Sequence, residues 1–383
     1  MAGQVSKRRS RRQSGGIDLL PSGRWRARFN APDGKRVTKT FPTKADADAW
    51  IATQSTAVLE GRYIDPSGAR VRFCEYAEQW LVSRHDLRPR TSELYEGLLR
   101  RHLLPTFGSL PLGSIQPITV RRWYEHMTSP AGPGASTAAK AYRLLRTILR
   151  TAVDEERIVR SPCNIRGAGV EKAAERPVAT IGELEALAEA IGDRLRLLIL
   201  LAAWCGLRRG ELLGLERRDI DLAAATVVVA RTRQGLKDGT IIIGPPKTAA
   251  GRRTIAIPPH ILDDVAHHLE SFVGTDPCSL LFTGAKGGPL RVHVLQDLWE
   301  KARETVGLEH LHLHDLRHSG NTWAAATGAS TAELMARMGH SSMQAAVRYQ
   351  HATRERDAAL ATALSDLASG LPSTGRPNRS RIE

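Results

Sequence analysis

Tyr349 is the last of six tyrosines, and the one before it is Tyr142, so nearly the whole C-terminal half carries a single phenol. His340 lies nine positions before it, His351 two after it, and Arg348 is adjacent. Further upstream, "GLRRGELLGL" holds Arg208 and Arg209, with Glu211 one turn on from Arg208. "PPKTAAGRR" places Lys247 at a turn between two predicted strands, and "LHLHDLRHSG" sets His314 and Arg317 at i and i+3 with His318 next. Two arginines, a lysine, two or three histidines and one tyrosine form a set suited to one reaction. When a phosphodiester is attacked, charge grows on its two non-bridging oxygens. The planar guanidinium fork suits them better than an ammonium, and two such forks can clamp both. A tyrosine hydroxyl can hold the phosphoryl group as an ester. Its free pKa of about 10 means that cationic neighbours and a histidine base must help it lose its proton. A lysine on a mobile turn can protonate the leaving alkoxide. The set calls for no metal and no cofactor: it has no Gly-rich phosphate loop and no carboxylate cluster for Mg²⁺.

Each element alone has a plainer reading. A lone tyrosine is usually half-buried packing, Arg-x-x-Glu is usually a solvated helical pair, and His-x-x-Arg arises by chance. His310, His312 and His314 alternate, but lack third and fourth ligands at metal-site spacing. The order of the pieces within one C-terminal region is what gives them weight.

The elements that must position these residues are legible from periodicity. The expected fold is α+β and multidomain. Residues 1–16 carry five basic side chains and no acidic one among Ser, Gly and Gln, the pattern of a disordered basic tail. Residues 17–66 read as an N-terminal DNA-binding domain, a β-hairpin followed by a helix. "GRWRARFN" alternates, putting Arg24, Arg26 and Arg28 on one face and Trp25, Ala27 and Phe29 on the other, and "RVTKTF" is its partner strand. In the helix that follows, Thr43 can cap with Asp46 three on, and Gly61 ends it. Residues 72–165 read as an all-helical domain: four segments carry apolar residues at three- and four-residue spacing, and Pro162 is expected to break the last. Their basic residues, Arg90, Lys140 and Arg143 among them, suit DNA as well as they suit an ordinary solvated face.

"SPCNIRGAGVEKAAERP" then reads as a linker. Residues 176–370 read as the catalytic domain, mainly helical with a small antiparallel sheet inserted. It opens on a capping box at Thr180 and Glu183, followed by the core helix "DRLRLLILLAAWCG". "ATVVVAR", "TIIIGPP" and "RRTIAIPP" supply the strands, and helices resume from His260. Residues 371–383 read as a disordered tail. Its "LPSTG" resembles a cell-wall sorting signal, but only the polar "RPNRSRIE" follows.

Composition narrows the partner. In 383 residues the net charge is +15, which points to a polyanion. Residues 1–70 hold 14 Lys/Arg against 6 Asp/Glu, so more than half of the surplus lies in the first fifth of the chain. No apolar run reaches membrane-spanning length, and the basic start has no apolar stretch behind it, so a nucleic acid is favoured over a membrane. The four cysteines are far apart with no CxxC pair, which suits a reducing cytoplasm.

With these residues in order, the sequence resembles the tyrosine recombinases, the phage-integrase family. "CGLRRGELLGL" matches the family's arginine box with Arg208 in place, although Cys205 stands where a threonine is usual. Lys247 matches the hairpin lysine. His314, Leu316, Arg317 and His318 fill the H-x-L-R-H box, "MGH" gives His340, and Tyr349 stands at the nucleophile position. The middle region is similar to the family's core-binding domain. The N-terminal hairpin and helix are similar to the arm-binding domain of phage and conjugative-element integrases. The resemblance implies that Arg208 and Arg317 bind the scissile phosphate while Tyr349 attacks it, giving a 3′-phosphotyrosine and a free 5′-hydroxyl. Lys247 would protonate the leaving group, His314 assist proton transfer and His340 hydrogen-bond the phosphate. It further implies double-stranded DNA attachment sites, a homotetramer on two duplexes, an excisionase and a DNA-bending host factor, and a cytoplasmic, nucleoid-associated protein of a prokaryotic host that integrates or excises a mobile element. Two rival readings are a type IB-like topoisomerase, which shares the tyrosine chemistry, and a non-enzymatic DNA-binding regulator.

Overall fold

The computed structural model describes residues 15–32, 34–60, 63, 65, 67–171, 176–246, 248–339, 361, 362, 364 and 365. The chain divides into two compact units, Met1–Lys172 and Ala173–Glu383.

In the first unit, β1 (Gly15–Leu19), β2 (Trp25–Asn30) and β3 (Arg36–Phe41) form an antiparallel sheet in that order. The expected hairpin is β2–β3. The third strand, β1, pairs Gly15 with Phe29 and Leu19 with Trp25, so its first two residues lie in what the basic composition marked as tail. The alternation of β2 holds: Ala27 and Phe29 are buried, and Arg26 and Arg28 lie on the opposite face. Helix α1 (Lys44–Leu59) starts at Thr43, whose hydroxyl accepts from the Asp46 amide at 3.2 Å. Trp50 of this helix lies against Phe29 and Phe41. Gly61, expected to end the helix, lies outside the described residues.

The helical layer runs through α2 (Phe73–Ser83), α3 (Pro89–Leu98), a π-helical turn (Leu99–Leu103), α4 (Leu104–Phe107), α5 (Pro117–Thr128) and α6 (Ala135–Asp154). Its core gathers Phe73, Trp80, Phe107, Trp123 and Tyr142. The long helix α6 stops at Asp154, well before Pro162. Glu156 takes a left-handed backbone (φ 56°), and Arg157 N–H donates to the Ala152 carbonyl at 2.8 Å. The segment read as a linker is partly structure of this layer. Cys163 and Ala168 are buried, the Ile165 amide donates to the Tyr142 hydroxyl at 2.8 Å, and the Tyr124 hydroxyl donates to the Ala168 carbonyl at 3.1 Å.

In the second unit, α7 (Ile181–Ala190) begins with the expected Thr180–Glu183 capping box. Helix α8 (Asp193–Trp204) is apolar on nearly all faces because it is enclosed: Leu195 and every residue from Leu197 to Ala203 are buried. A short helix, α9 (Arg209–Leu212), precedes the strands. The inserted sheet is in two parts. Strands β4 (Ile220–Asp221), β5 (Thr226–Val229) and β8 (Arg253–Ala256) form one sheet, and β6 (Thr232–Gly235) with β7 (Ile241–Gly244) form a separate ribbon. All pairings are antiparallel. Then come α10 (Leu262–Ser271), α11 (Val292–Thr305), α12 (Leu313–Ala326) and α13 (Thr331–Met338). Helix α12 lies so close to α8 that a Cβ on Gly320 would sit 1.8 Å from the Ala203 carbonyl oxygen. No described helix is long and apolar enough to cross a membrane.

Candidate active site

Arg208 is the residue before α9, and its backbone N–H donates to Glu211 Oε2 at 2.9 Å. Its guanidinium donates to Glu211 Oε1 at 2.8 Å and to the Gly339 carbonyl at 3.1 Å, while the side chain stays partly exposed. The i,i+3 pair that looks solvated in the sequence is therefore anchored on a buried carboxylate, 1% exposed. Arg253 of β8 holds the same carboxylate from the other side, at 3.1 and 3.3 Å. Burial by itself would raise the pKa of Glu211, but the charge and hydrogen bonds of Arg253 and Arg208 outweigh it and hold the carboxyl below its usual value.

Arg317 sits one turn into α12 and is buried. It donates to the Gly206 carbonyl and, at 2.5 Å, to the Met338 carbonyl. Arg253 Nε donates to the Arg337 carbonyl at 2.8 Å. Three guanidinium groups thus meet three consecutive carbonyls, those of Arg337, Met338 and Gly339, at the end of α13. The last carbonyls of a helix have no partner within it, and the C-terminal end of the helix dipole attracts cations. Gly339 takes the left-handed conformation (φ 61°), which ends the helix and presents these carbonyls.

His314 is the second residue of α12, one turn before Arg317. Its ring is reachable by solvent but crowded by protein. That desolvation, with the charge of Arg317 next, pushes its pKa below the ordinary imidazole value. The start of α12 is fixed by Asp315, fully buried, which accepts from the His312 amide at 2.8 Å and from Arg176 at 3.2 Å. Cys205, at the usual threonine position, is fully buried, and burial pushes its thiol up to about 12. It is a neutral packing group there.

The structure therefore brings Arg208 and Arg317 together on the end of α13 and places His314 on the same helix face as Arg317. Lys247, His340 and Tyr349 lie outside the described residues. Glu211, Arg253 and Asp315, which position the arginines and α12, were not among the expected site residues. For Glu211 the i+3 spacing from Arg208 was a usable signal. For Arg253 the sequence offers none, since its partners are 42 and 84 residues away.

The residues expected to face DNA are less free than their charges suggest. Asp18 on β1 takes both Arg26 (3.3 Å) and Arg28 (2.5 Å). Arg90 pairs with Glu93 at 3.1 Å. Lys140 and Arg143 both pair with Glu171, at 3.4 and 2.6 Å, and Arg143 also donates to the Gly169 carbonyl at 2.9 Å. The Ser136 hydroxyl, then these cations, hold Glu171 down at about 2. Arg24 is exposed just before β2.

Three family models match the chain: Phage integrase family over residues 179–356, Phage integrase, N-terminal domain over 13–60, and Phage integrase, N-terminal SAM-like domain over 72–128. A prophage phiRv2 integrase of Mycobacterium tuberculosis is 40% identical over 375 residues, covering 94% of this chain and 97% of that protein. Among solved structures, the integrase of the Tn1549 transposon in complex with a circular intermediate DNA is similar with a TM-score of 0.67 at 20% identity, over 76% of this chain and 98% of that one. A lambda integrase tetramer bound to a Holliday junction matches with a TM-score of 0.57 at 18% identity, over 90% and 97%. The chain thus belongs to the phage integrase family, the tyrosine-type site-specific recombinases.

Proposed function

We propose that this recombinase cuts and rejoins double-stranded DNA at attachment sites through a 3′-phosphotyrosine at Tyr349, integrating or excising a phage or other mobile element. The observation that carries the reading is the joint anchoring of Arg208 and Arg317 on adjacent carbonyls at the end of α13, immediately before His340 in sequence. A phosphate beside the exposed part of Arg208 would meet fixed donors that need no rearrangement as charge develops. His314, held largely neutral at pH 7, is suited to accept a proton. Lys247 then protonates the leaving 5′-oxygen and His340 hydrogen-bonds the phosphate. The ester conserves the bond energy, so religation to a new strand needs neither ATP nor water.

The active assembly on this reading is a homotetramer holding two duplexes, in the cytoplasm of a prokaryotic host at its nucleoid. The lambda tetramer on a Holliday junction supports the stoichiometry by likeness of fold. An excisionase and a DNA-bending protein would set direction. The N-terminal sheet, with Arg24, Arg26 and Arg28, and the helical layer, with Arg90, Lys140 and Arg143, supply phosphate contacts.

The test is covalent trapping. Wild type and Tyr349→Phe are incubated with nicked duplexes bearing candidate sites, without metal or ATP, and resolved under denaturing conditions. A shifted protein–DNA band from wild type and none from the variant is expected. Binding of such duplexes with no adduct from either protein would overturn the assignment of Tyr349 and favour a DNA-binding regulator.

A further inference from the structure

Among the described residues of the second unit, the buried arginines have polar partners, with one exception. Arg231 shows the ordinary solution: its guanidinium bonds the carboxylates of Asp219 and, at 3.3 Å, Glu216. Arg253 has Glu211, and Arg317 has backbone carbonyls. Arg233, on the adjoining ribbon strand β6, is 7% exposed, and its guanidinium has no hydrogen-bond or ion-pair partner among the described residues. Loss of water lowers its pKa with nothing in the protein to offset that loss. The residue is buried as a whole, but none of its guanidinium nitrogens is sealed from solvent, so this permanent charge faces open space rather than a protein acceptor.

Arg233 lines a cavity of about 370 Å³. One wall is the turn of the β6–β7 ribbon, with Lys237 and Asp238. The other is Arg291, Val292 and His293, the start of the 14-residue helix α11. No side chain caps that helix, and no acidic residue lies in its first turn. Its first N–H groups therefore carry partial positive charge without a side-chain acceptor. Asp238 is the one carboxylate in the lining, and it is already engaged by the Thr240 amide and hydroxyl, both at 2.8 Å. An unpaired buried arginine, an uncapped helix start and a second arginine thus converge on one space, each suited to an oxyanion. None of Arg208, His314 or Arg317 lines it.

We propose that this cavity is a phosphate-binding site, outside the catalytic arginine pair, with Arg233 as its central ligand. The phosphate has two possible sources: a backbone phosphate of bound DNA, which rests on the recombinase reading, or a free phosphate or small phosphorylated molecule, which does not.

The experiment uses the full chain as wild type, Arg233→Met and Arg291→Ala. Thermal unfolding is followed while inorganic phosphate replaces chloride at constant ionic strength. In parallel, affinity for a duplex bearing candidate sites is measured against salt concentration. Phosphate is expected to raise the wild-type melting temperature in a saturable way, with at least tenfold weaker apparent binding in both variants. If DNA is the source, the slope of log affinity against log salt becomes shallower by about 1 in Arg233→Met, the loss of one phosphate contact. A phosphate effect lost in the variants with an unchanged slope assigns the free species. A shallower slope, with or without the phosphate effect, assigns DNA. Equal responses of all three proteins to phosphate, with equal slopes, overturn the proposal. Should Arg233→Met not fold, Arg291→Ala, altered on the exposed rim, carries the same comparison. The phosphate titration contains no DNA, and wild-type covalent trapping reports separately on the recombinase reading, so the two can fail independently.

Discussion

Arg208 and Arg317 lie 109 positions apart in sequence and donate to neighbouring carbonyls, those of Gly339 and Met338. A single helix end thereby sets the spacing of the two groups expected to clamp the scissile phosphate. Arg317→Lys keeps the charge but loses the fork that spans Gly206 and Met338. Strand cleavage should fall by about 10²–10³-fold, as for loss of one preorganised donor. Adduct formation on nicked duplex, with melting temperature measured alongside, checks this. Unchanged cleavage would remove Arg317 from the phosphate site.

Glu211 is shared by Arg208 and Arg253 and is buried. Glu211→Gln leaves Arg253 buried beside a neutral amide and should destabilise the protein by about 3–5 kcal/mol, the usual cost of breaking a buried pair. The wild-type carboxyl has a folded pKa below its unfolded value, so its contribution is present above about pH 4.3 and is lost as pH falls through the folded value. Chemical denaturation at pH 7 and pH 4 should therefore show a smaller gap between wild type and variant at the lower pH. A gap that is constant with pH would mean the carboxylate charge does not matter.

His314 is held below the ordinary imidazole range, near 6.5. If its neutral form accepts the proton, single-turnover cleavage is flat through neutral pH and declines only on the acid side of the ordinary imidazole value. His314→Ala should be slower throughout and should lack that acidic limb. An identical limb in the variant would place the titration elsewhere.

Gly320 is where α12 meets α8. The 1.8 Å approach a Cβ would make to the Ala203 carbonyl cannot be relieved by a side-chain rotation, since the obstacle is backbone. Gly320→Ala should cost at least about 1–3 kcal/mol, as overpacking does, despite alanine's better helix propensity. Thermal unfolding reads the sign directly.

Asp18 pairs with both Arg26 and Arg28 on the outer face of the N-terminal sheet. If that face binds DNA, Asp18→Asn releases both and should tighten binding while steepening the salt slope, whereas Arg24→Ala should weaken binding and make it shallower by about 1. A salt titration of the three proteins on one duplex tests this. Equal slopes would assign the arginines to sheet structure alone.

The sequence by itself determined what is local or ordered along the chain. Thr43 with Asp46, and Thr180 with Glu183, announce their helix starts because a cap is made by residues three apart. The alternation of β2 and the apolar run of α8 are read in the same way, since strand and helix repeats are short. The order of the boxes around Arg208, His314 and Arg317 pointed to the chemistry because reactive residue types are few. Only tertiary structure decided which charges are buried and what they touch. It put Glu211 in the core, joined Arg253 to it, ended α6 before Pro162 and tied Lys140 and Arg143 to Glu171. It also left Arg233 at a cavity without a partner among the described residues. Burial and partnership depend on segments far apart in the chain, and spacing along one segment carries no record of what another will place against it.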